Sequence, residues 1–221
     1  MRHLLQLDED GKISIPAHIR RVKLDVGLSY TAPMSWNWLN QNGHDLLVFG
    51  FEANSSVIGG IDKHPNFRII NCVLSSTRGD GVCDFYITRG DMGCSSKYVP
   101  NSALLQVDRV VRVDQCTLSE FFELFPFDRI PYIEYIKVDA QGSDLDILKG
   151  AGEYLKEHVV YVTAEPEDLY YENTCNSVEE MDKYMISLGF ERITTPNTWD
   201  PTYLNPKWKH VADSIYIFQK G

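Results

Sequence analysis

One stretch, VKLDVGLSYTAPMSWNWLNQNGHDLLVFGFEAN (residues 22–54), reads as strand, helix, strand. The first run is apolar and stops at Asp25-Val26-Gly27. The segment PMSWNWLNQ (33–41) then begins on a proline, whose fixed φ suits the first helical turn, and stops at Gly43. The second run, DLLVFGF (45–51), is rich in aliphatic and aromatic residues and ends at Glu52. A helix between two such strands is the connection that parallel strands need.

The same alternation continues along the chain. Strand-like runs recur at FRIINCVL (67–74), VCDFYI (82–87), RVVRV (109–113), YIEYIKVD (132–139), VVYVTAE (159–165), FERIT (190–194) and SIYIFQ (214–219). Helices are expected at TLSEFFELF (117–125) and SVEEMDKYMISLG (177–189), where Thr117/Glu120 and Ser177/Glu180 form capping-box patterns. A third is expected at SDLDILKGAGEYLKE (143–157), although it holds two internal glycines. The segment TPNTWDPTYLNPKWKH (195–210), with three prolines, reads as a long loop. The pattern predicts an α/β fold: a mainly parallel sheet with helices on both faces.

Composition narrows the function. The 221 residues are 43% hydrophobic and 24% charged, values of a globular protein with one core. No repeat or Pro/Gly/Ser linker divides them, so residues 1–221 are expected to be one domain with residues 1–20 as an N-terminal lead. A formal charge of −10 repels phosphate backbones, which disfavours nucleic acid as a partner. No apolar run approaches the roughly 20 residues of a membrane helix, and Asp8, Glu9 and Asp10 follow the first apolar patch, unlike a signal peptide. A cytoplasmic location is the resulting expectation. The five cysteines form no C-x-x-C, which argues against a structural zinc site or a disulfide scaffold.

Ligand sites in parallel sheets lie beyond the carboxyl ends of the strands. There stand Asp25 and Gly27, Glu52 and Asn54, Ser75 and Ser76, Asp139, and Glu165. A carboxylate at such a place must be solvated, paired or bound to a ligand. An acid at the end of the second strand suits both hydroxyls of a ribose, because a carboxylate only accepts. Gly27 would admit a close backbone approach. The G-x-G-x-x-G fingerprint is absent, since Leu28, Ser29, Tyr30, Thr31 and Ala32 follow Gly27. A ribose acid without a diphosphate loop points to a nucleoside lacking phosphate. S-adenosylmethionine fits that description, and its cationic sulfonium and amino groups favour nearby carboxylates.

The stretches KLDVGLSY, LLVFGFEAN, NCVLSSTRGDGVCDFYI, GCSSKYV, TLSEFFELF and above all IEYIKVDAQGSDLDILKGA resemble the FkbM-type family of S-adenosylmethionine-dependent methyltransferases. The likeness runs from about Val22 to Glu165. It implies a Rossmann-like methyltransferase fold with an antiparallel C-terminal strand. It implies an O-methyltransferase whose acceptor is a small molecule or glycan, a sugar hydroxyl foremost, and fusion to or cooperation with glycosyltransferase domains. By this resemblance Asp25 and Gly27 lie by the methionine part of the donor, Glu52 binds the ribose, Val73, Leu74 and Ser75 border adenine, and Asp139 sits beside the reacting centre. Ser29, Tyr30 and Asn54 are further candidate donor contacts. Gln141 stands where the family usually has glutamate, and Leu28-Ser29-Tyr30 replaces smaller residues.

Asp139 and Glu165 are the candidate catalytic pair, as general base and second carboxylate, or as ligands of a divalent metal such as magnesium. Asp139 also reads as a helix cap and Glu165 as a strand end. Ser95 and Gln141 are candidate substrate contacts. Trp199, Tyr203 and Trp208 are suited to stack on a sugar ring, or to cover the edge of the core. Two rival functions stand beside the transferase: a methyltransferase-like module that binds without turnover, and a nicotinamide-dependent oxidoreductase, which the missing glycine fingerprint disfavours.

Overall fold

A computed structural model describes residues 1–195 and 200–215, except for the side chain at position 42. Its centre is a seven-stranded sheet among the described residues. The parallel strands are β1 (Arg21–Val26), β2 (Leu46–Glu52), β3 (Phe67–Asn71), β7 (Ile133–Val138) and β8 (Val159–Ala164). The spatial order is β3-β2-β1-β7-β8-β10-β9, with β9 at Glu191–Ile193 and β10 at Thr202–Leu204. Strand β10 runs antiparallel to both neighbours. The order reverses between β1 and β7, so a crevice opens beyond their carboxyl ends. This is the doubly wound, Rossmann-like arrangement that the alternating sequence called for.

Helices cover both faces. On one side α3 (Leu118–Leu124), α4 (Asp144–Lys149), α5 (Glu153–His158) and α6 (Val178–Ser187) pack on Leu24, Phe49, Ile136 and Val162. The lead segment joins that core through Ile13, Ile15 and Ile19, and Arg129 binds its carbonyls at Ile15 and Ile19. On the other side α1 (Pro33–Asn42) buries Trp38 edge-on to Tyr135, with α7 (Lys209–Ala212) beside it. Both strands and helices thus hide apolar surface from water, the main stabilising term in such a layered fold. Among the described residues no helix is long and apolar enough to cross a membrane.

Several boundaries differ from the sequence reading, each for a local reason. The run 67–74 is two strands. The Asn71 side chain donates to the carbonyls of Glu52 (2.8 Å) and Ala53 (3.0 Å) where β3 ends. The chain then crosses to β4 (Val73–Leu74), which pairs with β6 (Val107–Cys116) in a second sheet. There β6 also forms an antiparallel pair with β5 (Val82–Thr88). A short helix, α2 (Ser55–Ile58), follows β2, capped by the Asn54 side chain. The helix expected over 143–157 is broken into α4 and α5 at Gly150-Ala151-Gly152. Gly152 has φ +57°, and a Cβ on Gly150 would lie 2.1 Å from the Ser75 carbonyl. The capping boxes fare differently: Thr117 and Glu120 exchange both bonds, while Ser177 accepts from the Glu180 amide. The 195–210 loop contains β10, and of the strand expected at 214–219 only Ser214 and Ile215 fall within the described residues.

Candidate active site

The carboxyl ends of β2, β1, β7 and β8 are stitched in steps. Gly27 donates to Phe51, Asp139 to Val26, and Glu165 to Val138, all at 2.9–3.0 Å. Beyond them lies a cavity of about 280 Å³. Its walls include Gly27, Ser29, Tyr30, Glu52, Val73, Leu74, Ser95, Asp139 and Gln141. Nine residues singled out by position at strand ends or in two loops are therefore gathered around one space.

Gly27 makes this close convergence feasible. Its φ is +79°, and a Cβ there would lie 1.8 Å from the carbonyl oxygen of Asp139. The close approach is thus of chain to chain, not only of chain to ligand. Glu52 accepts from the backbone of Leu28 (3.1 Å) and Asn54 (2.7 Å). Burial pushes its carboxyl above the ordinary range despite those donors. The Ala53 backbone donates as well, and a carboxylate's several acceptor sites leave capacity beyond these donors.

Three residues expected beside the donor have their side chains engaged away from the cavity. Asp25 is 1% exposed and points under α1, where it accepts from the Ser35 amide (3.1 Å) and hydroxyl (2.5 Å). Burial raises its pKa. Asn54 caps α2 through the Ser56 amide at 3.1 Å. Ser75 turns from the cavity to Asp146, to which its hydroxyl donates at 2.9 Å. None of the three lines the cavity.

Asp139 is the most heavily supported carboxylate. Lys137 Nζ donates to its Oδ2 and Gln141 Nε2 to its Oδ1, both at 2.9 Å. Lys137 also donates to the Gly27 carbonyl at 3.0 Å and stands 3.8 Å from Asp25. Burial works against the Asp139 charge, but Lys137 and hydrogen bonds from Glu165, Lys137 and Gln141 prevail and hold its pKa below the usual range. Glu165 is pushed up to about 8, first by burial and then by its hydrogen bond and repulsion with Asp139. At neutral pH the two carboxyls thus share one proton. Glu165 does not line this cavity; it stands half-buried beside Asp139 at the end of β8.

Gln141 is held in the left-handed region, φ 52°, by contacts at both ends. Its backbone carbonyl accepts from Ser96 (2.7 Å), and its side-chain oxygen accepts from Tyr171 (2.8 Å). The Tyr171 ring packs where a Cβ of Gly142 would come within 2.7 Å. Ser95 accepts from the Thr88 amide at 3.1 Å. Lys137, Tyr171 and Lys97 were missed as site residues. Lys137 alone carried a signal, since it lies two positions before Asp139 and a strand repeats its face every two residues.

The magnesium expectation is corrected. Among the described residues no group of three or more His, Cys, Asp or Glu side chains is placed to hold a metal ion. The Lys137 ammonium occupies the position beside Asp139 that a cation would need. Such a donor set does not fit a divalent ion. Of the two readings of Trp208, its contacts are those of the core-edge one. It packs on Tyr132, with ring centroids 4.9 Å apart, and donates to the Glu157 carbonyl. Those residues precede β7 and β8, so Trp208 lies at the amino ends of the strands, roughly 20 Å from Asp139 by strand rise. It covers the core edge. Tyr203 is fully buried in β10, its hydroxyl donating to Asp182 at 2.7 Å. Trp199 lies outside the described residues.

Sequence comparison settles the family. The Methyltransferase FkbM domain matches residues 24–192 of this chain. The chain belongs to the FkbM methyltransferase domain family. No curated protein matches its sequence. Among solved structures it is similar to the crystal structure of Methyltransferase FkbM from Methylobacillus flagellatus KT, with 16% identity and a TM-score of 0.46. That likeness covers 92% of this chain and 47% of the other, so the chain spans about half the length of that protein. The FkbM domain match runs from the fourth residue of β1 to the second residue of β9 and takes in the whole lining of the cavity.

Proposed function

We propose that this FkbM domain transfers a methyl group from S-adenosylmethionine to a hydroxyl oxygen of a sugar or glycan. The observation that carries the reading is the cavity that Glu52 and Asp139 line from the ends of β2 and β7. Glu52 accepts the ribose hydroxyls with the acceptor capacity its backbone donors leave free. Val73, Leu74, Phe85 and Ile147 form an apolar slot of a kind that suits a purine. Asp139, kept anionic by Lys137, favours the positive charge of the sulfonium and amino group.

When bound, S-adenosylmethionine supplies an electrophilic methyl group. The chain's own residues orient the acceptor and take its proton. Glu165 is the stronger base of the carboxyl pair once ionised, and Asp139 is its positioning partner. The acceptor hydroxyl loses its proton to Glu165 as the carbon–oxygen bond forms and the carbon–sulfur bond breaks. A sugar suits the polar surroundings of Asp139, Gln141 and Glu165, which offer both donors and acceptors.

The test is transfer of a labelled methyl group to a panel of mono- and oligosaccharides. The expected result is donor-dependent labelling that falls at least about 100-fold in Asp139→Asn while S-adenosylhomocysteine still binds. Full activity of that variant would remove Asp139 from the chemistry. Labelling of amines or catechols in place of sugars would overturn the acceptor class.

A further inference from the structure

The apolar slot of the cavity ends on a charged group. Lys97 lines it, although its side chain is only 12% exposed. Its Nζ donates to the Ser75 hydroxyl at 2.9 Å and, at close range, to Oδ2 of Asp146. Asp146 Oδ2 also receives the Ser75 hydroxyl (2.9 Å) and the Ser76 amide (3.1 Å). Lys97, Ser75 and Asp146 thus form a compact cluster contributed by a loop, the end of β4 and α4. The Lys97 Nζ also lies over the Tyr98 ring, 5.0 Å from its centroid.

An ammonium has three donors and no acceptor. The two protein oxygens it meets, on Ser75 and Asp146, leave one N–H for the cavity that Lys97 lines. Asp146 needs no lysine merely to be satisfied, because two other donors already meet the same oxygen. Lys97 shares the cavity lining with Val73, Leu74 and Ile147, which offer no side-chain acceptor. A flat heterocycle between those apolar groups would bring a ring-nitrogen lone pair to the ammonium. A buried donor of this kind discriminates strongly, since a ligand without the matching acceptor leaves it unpaired.

We infer that Lys97 reads the base of the bound nucleoside, donating its third N–H to a ring nitrogen of the purine. Ser75 and Asp146 position it for that contact. The inference rests on the adenosyl reading of the cavity given above, and it adds a residue and a specificity to that reading.

The experiment is calorimetric titration of the full chain with S-adenosylhomocysteine and with its 1-deaza, 3-deaza and 7-deaza analogues. Each analogue replaces one ring nitrogen by C–H. The wild-type protein is expected to bind one of the three about 10-fold or more weakly than the parent. Lys97→Met is expected to weaken the parent by a similar factor and to erase the discrimination against that one analogue. Lys97→Gln, which keeps an N–H donor, is expected to retain part of it. The wild-type arm needs no variant to fold. Equal binding of the parent and all three analogues would overturn the role of Lys97 and leave the adenosyl reading intact. The same discrimination in wild type and Lys97→Met would overturn it equally. Failure of every adenosyl ligand to bind wild type would instead overturn the reading on which the inference stands, and the inference with it.

Discussion

A Cβ on Gly27 would lie 1.8 Å from the carbonyl oxygen of Asp139, so the turn after β1 and the end of β7 are fitted to one another with no room for a side chain. The two strands are neighbours at the point where the sheet order reverses. Gly27→Ala must displace the Asp139 backbone as well as hold φ near +79°. The backbone conformation alone costs about 1–2 kcal/mol for a non-glycine residue. The expected outcome is a folded protein with a lowered melting temperature and at least about 10-fold weaker S-adenosylhomocysteine binding. Wild-type affinity in that variant would show that the turn does not shape the cavity.

Glu52 ties the Leu28 and Asn54 amides while facing the cavity. Glu52→Ala removes an acceptor from two backbone donors and, on the proposed reading, from two ribose hydroxyls. Hydrogen bonds to a charged group contribute about 1.5–3 kcal/mol each. Donor affinity is expected to fall about 10- to 100-fold, with a smaller drop in thermal stability. A loss of stability with unchanged affinity would assign Glu52 to the loop alone.

The carboxyl pair gives a pH signature. Glu165 titrates at about 8 and must lose its proton to act as the base. Transfer is expected to rise with pH through a midpoint near 8. Glu165→Gln is expected to flatten that rise and to lower the plateau. An activity that is flat in wild type between about pH 6 and 9 would contradict the assignment of the base.

Asp144 supplies a separate prediction about stability. It is fully buried and its pKa is pushed up to about 7, first by burial and then by the charge of Asp139. Its ordinary value is about 3.9. Between those values the folded state holds a proton that the unfolded chain has lost, so stability falls as pH rises through the window. Glu165, raised to about 8, extends the fall. The melting temperature is expected to drop from about pH 5.5 to about pH 8. Asp144→Asn, which keeps a polar partner for Asn176, is expected to flatten the lower part of that slope. A melting temperature that climbs over the same range would contradict the buried, protonated state.

Most of the parallel sheet was legible in the sequence because its strands are short runs rich in β-branched and aromatic residues, with β2 and β8 almost wholly apolar. The residues after β2, β7 and β8 were legible as polar groups at the ends of those runs. The switch from β3 to β4 was not, since FRIINCVL stays apolar across the change of sheet and Asn71 looks like any interior polar residue. Strand β10 was hidden by its length of three residues among prolines. Asn54 sat at the expected end but turned to the Ser56 amide, because a short polar side chain reaches its own local backbone first, while Asp25 turned to Ser35 in the first turn of α1, ten residues on. Lys97 and Tyr171 reach the site from segments far from the strands they serve, and no local pattern announces such contacts. Trp208 stayed open between its two readings because composition says that a loop is aromatic without saying at which end of the sheet it lies.

The central claim is that the cavity beyond β1, β2 and β7 binds an adenosyl ligand. Its most direct test is calorimetric titration of the purified chain with S-adenosylmethionine, S-adenosylhomocysteine and NADH. The account expects saturable binding of both adenosyl ligands at about micromolar affinity and none of NADH. Binding of NADH, or silence toward both adenosyl ligands, would contradict it.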